Sequence, residues 1–414
     1  MIEVRRQPIG IFPFPASNLL LPPTEKDHAE VLPLLMKGDL TVELPDEWHF
    51  LKIAAKGEID WAIRLLAGSD NDVSKYNRFM LAPSGQAYEN LASELSGHLR
   101  ELLDVAAFAT GIIDTIADSF SLEGELLAMA LATSAAADIE AEKTSEALTK
   151  LQNAVAACRS NSPILAATLT SQIADLKLQT SENAAALVIQ DYKEAIRLAA
   201  DCELPMLLPE LHIKMGMIFQ NVANGQRGAL LQAVNAYQFA LQNGVTQEEH
   251  PDLFAQLQNN LGLAYLSMPT TGSSHQLRTG IAVQSFRHAL KVYTIEQDPD
   301  MWASVSMNLA NALQYAPSSH PEENLIQAVE TYEEVLQVRS RAKDPVAYSL
   351  VLMNQANALA HLGMFKPALE KLAEAHKLFH WYDHIEQAEA ARDLVEQINQ
   401  RMGDQGEPLE LNTN

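Results

Sequence analysis

The chain has 414 residues and a formal net charge of −24, from 29 Lys and Arg against 53 Asp and Glu. Such a charge repels a phosphate backbone, and no Lys- or Arg-rich cluster reverses it locally, so we expect no nucleic-acid partner. No stretch approaches the roughly 18 consecutive apolar residues of a transmembrane helix, and two cysteines do not make a disulfide framework, so we expect no membrane partner and a cytoplasmic location.

The first 45 residues are rich in proline. We predict an extended arm at 1–45 with short strands at 2–5 and 39–44; a disordered leader is the alternative. Arg5-Arg6 ahead of an apolar segment is reminiscent of an export signal, but the prolines that follow would break its helix.

A helical region is predicted at 46–120. Within it, Ala62 and Leu66 follow Gly57 at a spacing that occurs again near the C-terminus, which predicts a degenerate copy of the repeat described below. Residues 71–83 are predicted to be a loop because of their polar and turn-forming composition.

Two apolar helices are predicted after this loop, at about 85–97 and 99–118. An exposed apolar edge at 85–118 would be able to pair with its own copy, so self-association as a homodimer is one expectation.

The later part of the chain repeats itself. Similar stretches at 259–265, 307–313 and 353–359 lie 48 and 46 residues apart. A fixed period of this size is typical of a solenoid built from helical hairpins. Each stretch is followed by a second helix with a packing triplet, whose members are spaced by four and then three positions and so share one helix face. These triplets are Ala282/Phe286/Ala289, Ala328/Tyr332/Val335 and Ala368/Leu372/Ala375.

Weaker copies of the same triplet, with prolines near the helix starts, extend the pattern towards the N-terminus. We therefore predict about six hairpins at 121–382, a capping helix at 383–401 and a disordered tail at 402–414.

The repeats resemble the tetratricopeptide repeat family, most strongly over 206–380. The resemblance rests on a small residue at the eighth position of the first helix, an apolar or aromatic residue at the eleventh, and the triplet of the second helix. Gly216, Gly262, Ala310 and Ala356 hold the eighth position, and Phe219, Tyr265, Leu313 and Leu359 hold the eleventh. The long period, compared with about 34 residues in the family, and the absent tryptophan of the first helix put a simple transfer of a known binding mode in doubt. The resemblance implies an all-α, right-handed superhelical solenoid of antiparallel helical hairpins.

The repeated stretches also carry asparagines that the packing does not require. Asn260, Asn308 and Asn354 precede the Leu-Gly or similar step, and Asn311 and Asn357 follow one turn later. We call these five residues the asparagine column. An asparagine amide can bond both the N–H and the C=O of an extended peptide, whatever its sequence, and the resemblance implies a comparable ladder that holds peptides. The alternative is that these amides bond backbone carbonyls or one another between repeats.

Three further residues are candidates for the same surface. Lys214 occupies the asparagine position of the third repeat and would add a cationic end suited to a carboxylate. Tyr315 and His361 end their first helices at corresponding positions and are predicted to face the groove, although simple exposure explains them equally well.

Three histidines are spaced by four residues, at His376, His380 and His384, as a metal site on one helix face would require. His384 belongs to the next predicted helix, so we favour polar residues around a helix corner and expect no metal or other cofactor. No catalytic motif occurs in the sequence.

The sequence thus predicts a non-enzymatic adaptor, scaffold or chaperone-like protein that binds a peptide segment or protein partner. The alternative is a regulatory receptor with a small ligand in a deep apolar pocket between residues 45–120 and the repeats. If the asparagine column is the site, replacing Asn308 and Asn354 by Ala should weaken binding and leave melting unchanged.

Overall fold

The computed structural model describes residues 20–22, 31, 34, 39, 41–117, 119–160, 162–180, 184–204, 206–269 and 274–403. These residues form 18 α-helices and one short 3₁₀ helix at Asp46–Trp48, with no strand among them. The α-helices are α1 (His49–Ala55), α2 (Ile59–Leu66), α3 (Asp72–Leu81), α4 (Gly85–Glu94), α5 (Gly97–Ala109), α6 (Gly124–Glu140), α7 (Thr144–Cys158), α8 (Pro163–Thr180), α9 (Ala185–Leu198), α10 (Leu207–Asn221), α11 (Arg227–Gln242), α12 (Pro251–Leu266), α13 (His275–Ala289), α14 (Pro299–Leu313), α15 (Pro321–Val338), α16 (Pro345–His361), α17 (Phe365–Trp381) and α18 (Ile385–Gly403).

The chain divides into two compact units, Met1–Ile218 and Phe219–Asn414. None of the described helices combines the length and apolar character needed to cross a membrane. The strand predicted at 2–5 and the tail from residue 404 onward lie outside the described residues.

In the first unit, the loop predicted at 71–83 is wrong, because α3 occupies most of it. The Asn71 side chain accepts a hydrogen bond from the Ser74 N–H at 2.8 Å and caps this helix. Tyr76, Phe79 and Met80 follow at helical spacing and are buried, so α3 is held by core packing that outweighs its polar composition.

The first described residues of the arm pack on this same helix. Leu21 is buried, and its N–H and C=O both bond the side-chain amide of Asn77, each at 2.8 Å. The strand predicted at 39–44 is wrong over 41–44, where the chain forms a turn and a bend. Val31 and Leu34 have helical backbone, whereas the sequence analysis predicted an extended arm over these residues.

The second apolar helix, predicted at 99–118, is also shorter than expected. It ends at Ala109, where Gly111 takes a φ of 69° and bonds back to Phe108. Leu99, Leu102 and Leu103 are buried in the unit's own core. These leucines of α5 are therefore not part of an exposed apolar edge, and the homodimer expectation stays a prediction.

Within the first unit, α6 pairs with α7 and α8 with α9; within the second unit, α12 pairs with α13, α14 with α15 and α16 with α17. A packing triplet lies on the second helix of each of these hairpins, and a sixth triplet lies on α11. Every member of the six triplets is buried, with at most 2% of its surface exposed. They are Ala147/Leu151/Ala154, Val188/Tyr192/Ala195, Ala233/Tyr237/Ala240, Ala282/Phe286/Ala289, Ala328/Tyr332/Val335 and Ala368/Leu372/Ala375. The small flanking residues bring the two helices of a hairpin close together, and the large central residue fills the space between them.

Helix starts in the second unit follow the proline and aspartate pattern of the sequence. Pro299 and Pro345 occupy the first turn of α14 and α16, where a missing N–H costs nothing. Asp298 and Asp344 cap these helices through bonds of 3.0 and 2.9 Å from backbone N–H groups. These caps fix where each first helix begins, and hence which of its residues face the neighbouring repeat.

Candidate peptide-binding surface

The asparagine column lies on the first helices of the last three hairpins, α12, α14 and α16, all within the second unit. Asn260, Asn308 and Asn354 hold equivalent positions and are half-buried. Half-burial places their amides partly out of water while leaving them within reach of a ligand. The structure divides the column into amides that already have partners and amides that do not.

Asn308 has a partner within the protein. Its Nδ2 donates to the Oδ1 of Asn259, on the preceding first helix, at 3.0 Å. This bond is the inter-repeat alternative named above, and it engages one donor of Asn308. The side-chain amides of Asn260 and Asn354, by contrast, have no hydrogen-bond partner within the described ranges.

Asn311 is engaged by a buried tyrosine of its own hairpin. The Tyr332 hydroxyl donates to Asn311 Oδ1 and accepts from Gln314 Nε2 at 2.9 Å. Burial raises the pKa of Tyr332 well above its ordinary value, so the hydroxyl stays protonated and remains a donor. Asn311 therefore accepts the hydrogen bond of a buried hydroxyl within its own hairpin, and it is a poor candidate for ligand binding.

Tyr315, just after the end of α14, and His361, the last residue of α16, lie against each other. The rings of Tyr315 and His361 stand edge to face, with centroids 6.2 Å apart. Asn357 Nδ2 donates to Gln314 Oε1 at 2.9 Å and to the Tyr315 hydroxyl at 3.3 Å. Burial, and then the charge of Arg401, lower the pKa of His361, which is therefore mainly neutral at pH 7. Tyr315 is 55% exposed, so an aromatic surface is open to solvent at this end.

Lys214 is not a free cation at the end of the column. Its ammonium lies 2.6 Å from Asp175 Oδ2 and 3.3 Å from Ser171 Oγ, both on α8 of the first unit. Asp175 also accepts from the buried hydroxyl of Tyr192. Lys214 thus completes a structural network between two repeats, and its pairing with Asp175 was not predicted from the sequence.

The three histidines do not form a metal-binding group. His376 and His380 stand edge to face with ring centroids 6.4 Å apart, whereas His384 lies beyond the end of α17 and bonds Phe379 through its backbone. Among the residues that the structure describes, no cluster of three potential metal ligands occurs.

A cavity of about 260 Å³ lies in the N-terminal helical region. Residues between 88 and 120 line it, including Tyr88, Asp104, Ile116 and Phe120. Asp104 is already bonded to Tyr88 and Arg100, at 2.9 and 3.0 Å. Because the repeats contribute nothing to its lining, this cavity does not have the position that the small-ligand alternative requires.

One groove was not anticipated from the sequence. It measures about 500 Å³ and runs between α15 and α17 over the start of α16. Tyr348 and Leu352 form part of its lining, with carboxylates from the two flanking helices; Lys371 pairs with Glu333 at 3.1 Å. Most of its lining residues come from the second helices α15 and α17, whereas the repeated asparagines lie on first helices.

No protein-family model and no curated protein matches the chain. Among solved structures, BtubC (BKLC) from P. vanneervenii is 19% identical, with a TM-score of 0.39 over 66% of this chain and 94% of that chain. The TPR2AB-domain:pHSP90 complex of yeast Sti1 is 16% identical, with a TM-score of 0.27 over 66% and 99%. A Rap protein complexed with competence and sporulation factor is 13% identical, with a TM-score of 0.35 over 87% and 100%. TM-scores below 0.5 are too low to carry a function or partner to this chain. The described helices themselves, with their buried triplets, fit a tetratricopeptide-like repeat protein.

Proposed function

We propose that the protein is a non-enzymatic scaffold that binds an extended peptide segment along α12, α14 and α16. The observation that carries this proposal is the pair of half-buried amides, Asn260 and Asn354, which occupy equivalent positions and have no partner among the described residues. Neither amide belongs to the fully buried polar atoms without a partner, so both remain accessible, and a peptide backbone offers each of them a donor and an acceptor in place of water.

The spacing of the two amides sets the length of the ligand. Neighbouring first helices lie about 10 Å apart, so Asn260 and Asn354, two hairpins apart, are separated by about 20 Å. An extended chain rises about 3.3 Å per residue, so the two amides contact residues about six apart. Asn308 lies between them, and its amide retains one free donor beside the bond to Asn259.

The end of the surface at Tyr315 would determine which side chains of the ligand are preferred. The exposed Tyr315 ring, supported by His361 and Asn357, offers an aromatic face to an apolar or cationic side chain of the ligand. Lys214 has no part in this proposal, because Asp175 already pairs with it. A cytoplasmic location belongs to the same proposal and is supported by two cysteines that are both free thiols.

The proposal is tested with peptides selected from a random twelve-residue display library. The affinity of each selected peptide is measured by fluorescence anisotropy for the unchanged protein and for the Asn260→Ala/Asn354→Ala variant. Four lost hydrogen bonds, two for each amide, of about 0.5–1.5 kcal/mol each predict a Kd that rises about thirtyfold or more. Melting should be unchanged, because neither amide has a partner within the described protein.

The matched control is Asn153→Ala, an exposed asparagine on α7, which should leave affinity unchanged. N-methylation of a contacted ligand residue removes its backbone donor and should reproduce the loss, whereas alanine scanning of the ligand should show weak dependence at these residues. Equal affinity for the double variant and the unchanged protein would reject the asparagine column. Asn308→Ala, which breaks the bond to Asn259, is expected to lower stability as well as affinity.

A further inference from the structure

Arg278, in the first turn of α13, is almost completely buried, with 6% of its surface exposed. Its Nη1 donates to Ser274 Oγ at 2.6 Å, and its Nη2 donates to the carbonyl of Pro269 at 2.6 Å. Its Nε is buried and has no acceptor among the described residues. Both acceptors are neutral, so the charge of the guanidinium has no carboxylate partner in the described part of the chain.

A buried charge is ordinarily paired with a charge of the opposite sign, because leaving water is costly. The surroundings of Arg278 favour an anion still further. Ser274 immediately precedes α13 and does not cap it, and the first turn of this 15-residue helix holds no acidic residue. The N–H groups at the start of α13 and its helix dipole therefore add to the positive potential at Ser274.

We propose that Ser274 is a phosphorylation site whose phosphate is received by Arg278 and the N-terminus of α13. Ser274 is half-buried, and its hydroxyl already points at the guanidinium. A protein kinase would transfer the γ-phosphoryl group of a nucleoside triphosphate to Ser274. A bond forms between Oγ and phosphorus, the bond from phosphorus to the β,γ-bridging oxygen breaks, the nucleoside diphosphate leaves, and the hydroxyl proton passes to the kinase's base.

The phosphate would place a dianion beside the Arg278 guanidinium, which has no anionic partner among the described residues. Charge-assisted bonds from guanidinium to phosphate are short and strong, and a phosphoserine at a helix N-terminus opposite an arginine orders the chain around it. The inference stands on Arg278 and Ser274 alone and is independent of peptide binding.

The test uses the full chain with phosphoserine incorporated at Ser274 during translation. Thermal unfolding is compared with and without the phosphate, in the unchanged protein and in the Arg278→Gln variant. We expect the phosphate to raise Tm by about 4 °C or more, and by less than half of that in Arg278→Gln. A rise that is equal in both backgrounds, or no rise, overturns the inference.

Arg278→Gln removes a buried side chain and risks unfolding the hairpin, so a second measurement uses the unchanged protein. The second pKa of the phosphate is followed by phosphorus NMR, and pairing with Arg278 should lower it below the ordinary value of about 6. An unshifted value would contradict the pairing. Phosphopeptide mapping of the protein from its own cells is expected to find the phosphate on Ser274, and consistent absence there would reject the modification itself.

Discussion

Gly262→Ala is expected to lower the free energy of unfolding by about 1–3 kcal/mol. A Cβ at position 262 would lie 2.6 Å from Cε1 and 2.7 Å from Cζ of Phe286, which is fully buried and cannot move aside freely. In the next hairpin, Ala310 occupies the position equivalent to Gly262 and lies opposite Tyr332. Helices of this type can therefore pack with a methyl group at this position, and the expected loss of stability is moderate. Urea unfolding followed by circular dichroism measures the change.

The matched control is Gly280→Ala on α13, where a Cβ meets nothing within 4 Å. An alanine inside a helix restricts the unfolded chain more than glycine does, so this variant should be more stable by about 0.5–1 kcal/mol. Phe286→Leu should relieve part of the cost of Gly262→Ala, so the double variant loses less than the sum of the single changes. A stabilising Gly262→Ala would show that the contact with Phe286 does not limit helix approach.

Tyr332→Phe is expected to lower the free energy of unfolding by about 1–3 kcal/mol, because Asn311 Oδ1 then loses the hydroxyl that donates a hydrogen bond to it. Asn311→Leu alone should cost a similar amount, because the tyrosine hydroxyl then loses its acceptor. The equivalent pair in the preceding hairpin is Leu263 and Phe286, which is apolar on both sides. Installing that pair, as Tyr332→Phe with Asn311→Leu, should restore part of the lost stability.

Urea midpoints of the four proteins give the coupling energy between the two positions. We expect the double variant to recover the loss that comes from Asn311, since replacing both partners of a buried bond by apolar groups is nearly neutral. The loss that remains is the bond that Gln314 Nε2 donates to the tyrosine hydroxyl, about 0.5–1.5 kcal/mol. Additive losses would mean that Asn311 and Tyr332 contribute independently. Asn311 would then return to the asparagine column as a candidate ligand contact.

The hairpins were predictable from the sequence because their determinants are local and repeated. Triplets such as Ala328, Tyr332 and Val335 share a helix face at fixed spacing, and every one of them is buried. Helix α3 was missed because its capping residue, Asn71, and its apolar face at Tyr76 and Phe79 occur only once in the chain.

The roles of the asparagines were not predictable in the same way. Asn260, Asn308 and Asn354 are equivalent in sequence, yet only Asn308 faces another amide, Asn259, across the repeat interface. Asn311 differs from Asn357 because the residue opposite it is Tyr332 in one hairpin and Leu372 in the other. Partners on neighbouring helices decide these roles, and a periodic pattern does not specify them.

The pairing of Asn77 with Leu21 shows what one amide can hold. A single side chain satisfies both backbone groups of a single residue, each at 2.8 Å. A ligand held in this manner by Asn260 and Asn354 would gain only four such bonds over a span of about six residues. The affinity that comes from the backbone bonds alone would then be modest, and the peptide would dissociate rapidly. A partner that binds tightly and selectively must therefore gain the rest of its binding free energy from its side chains, foremost from a side chain that contacts Tyr315.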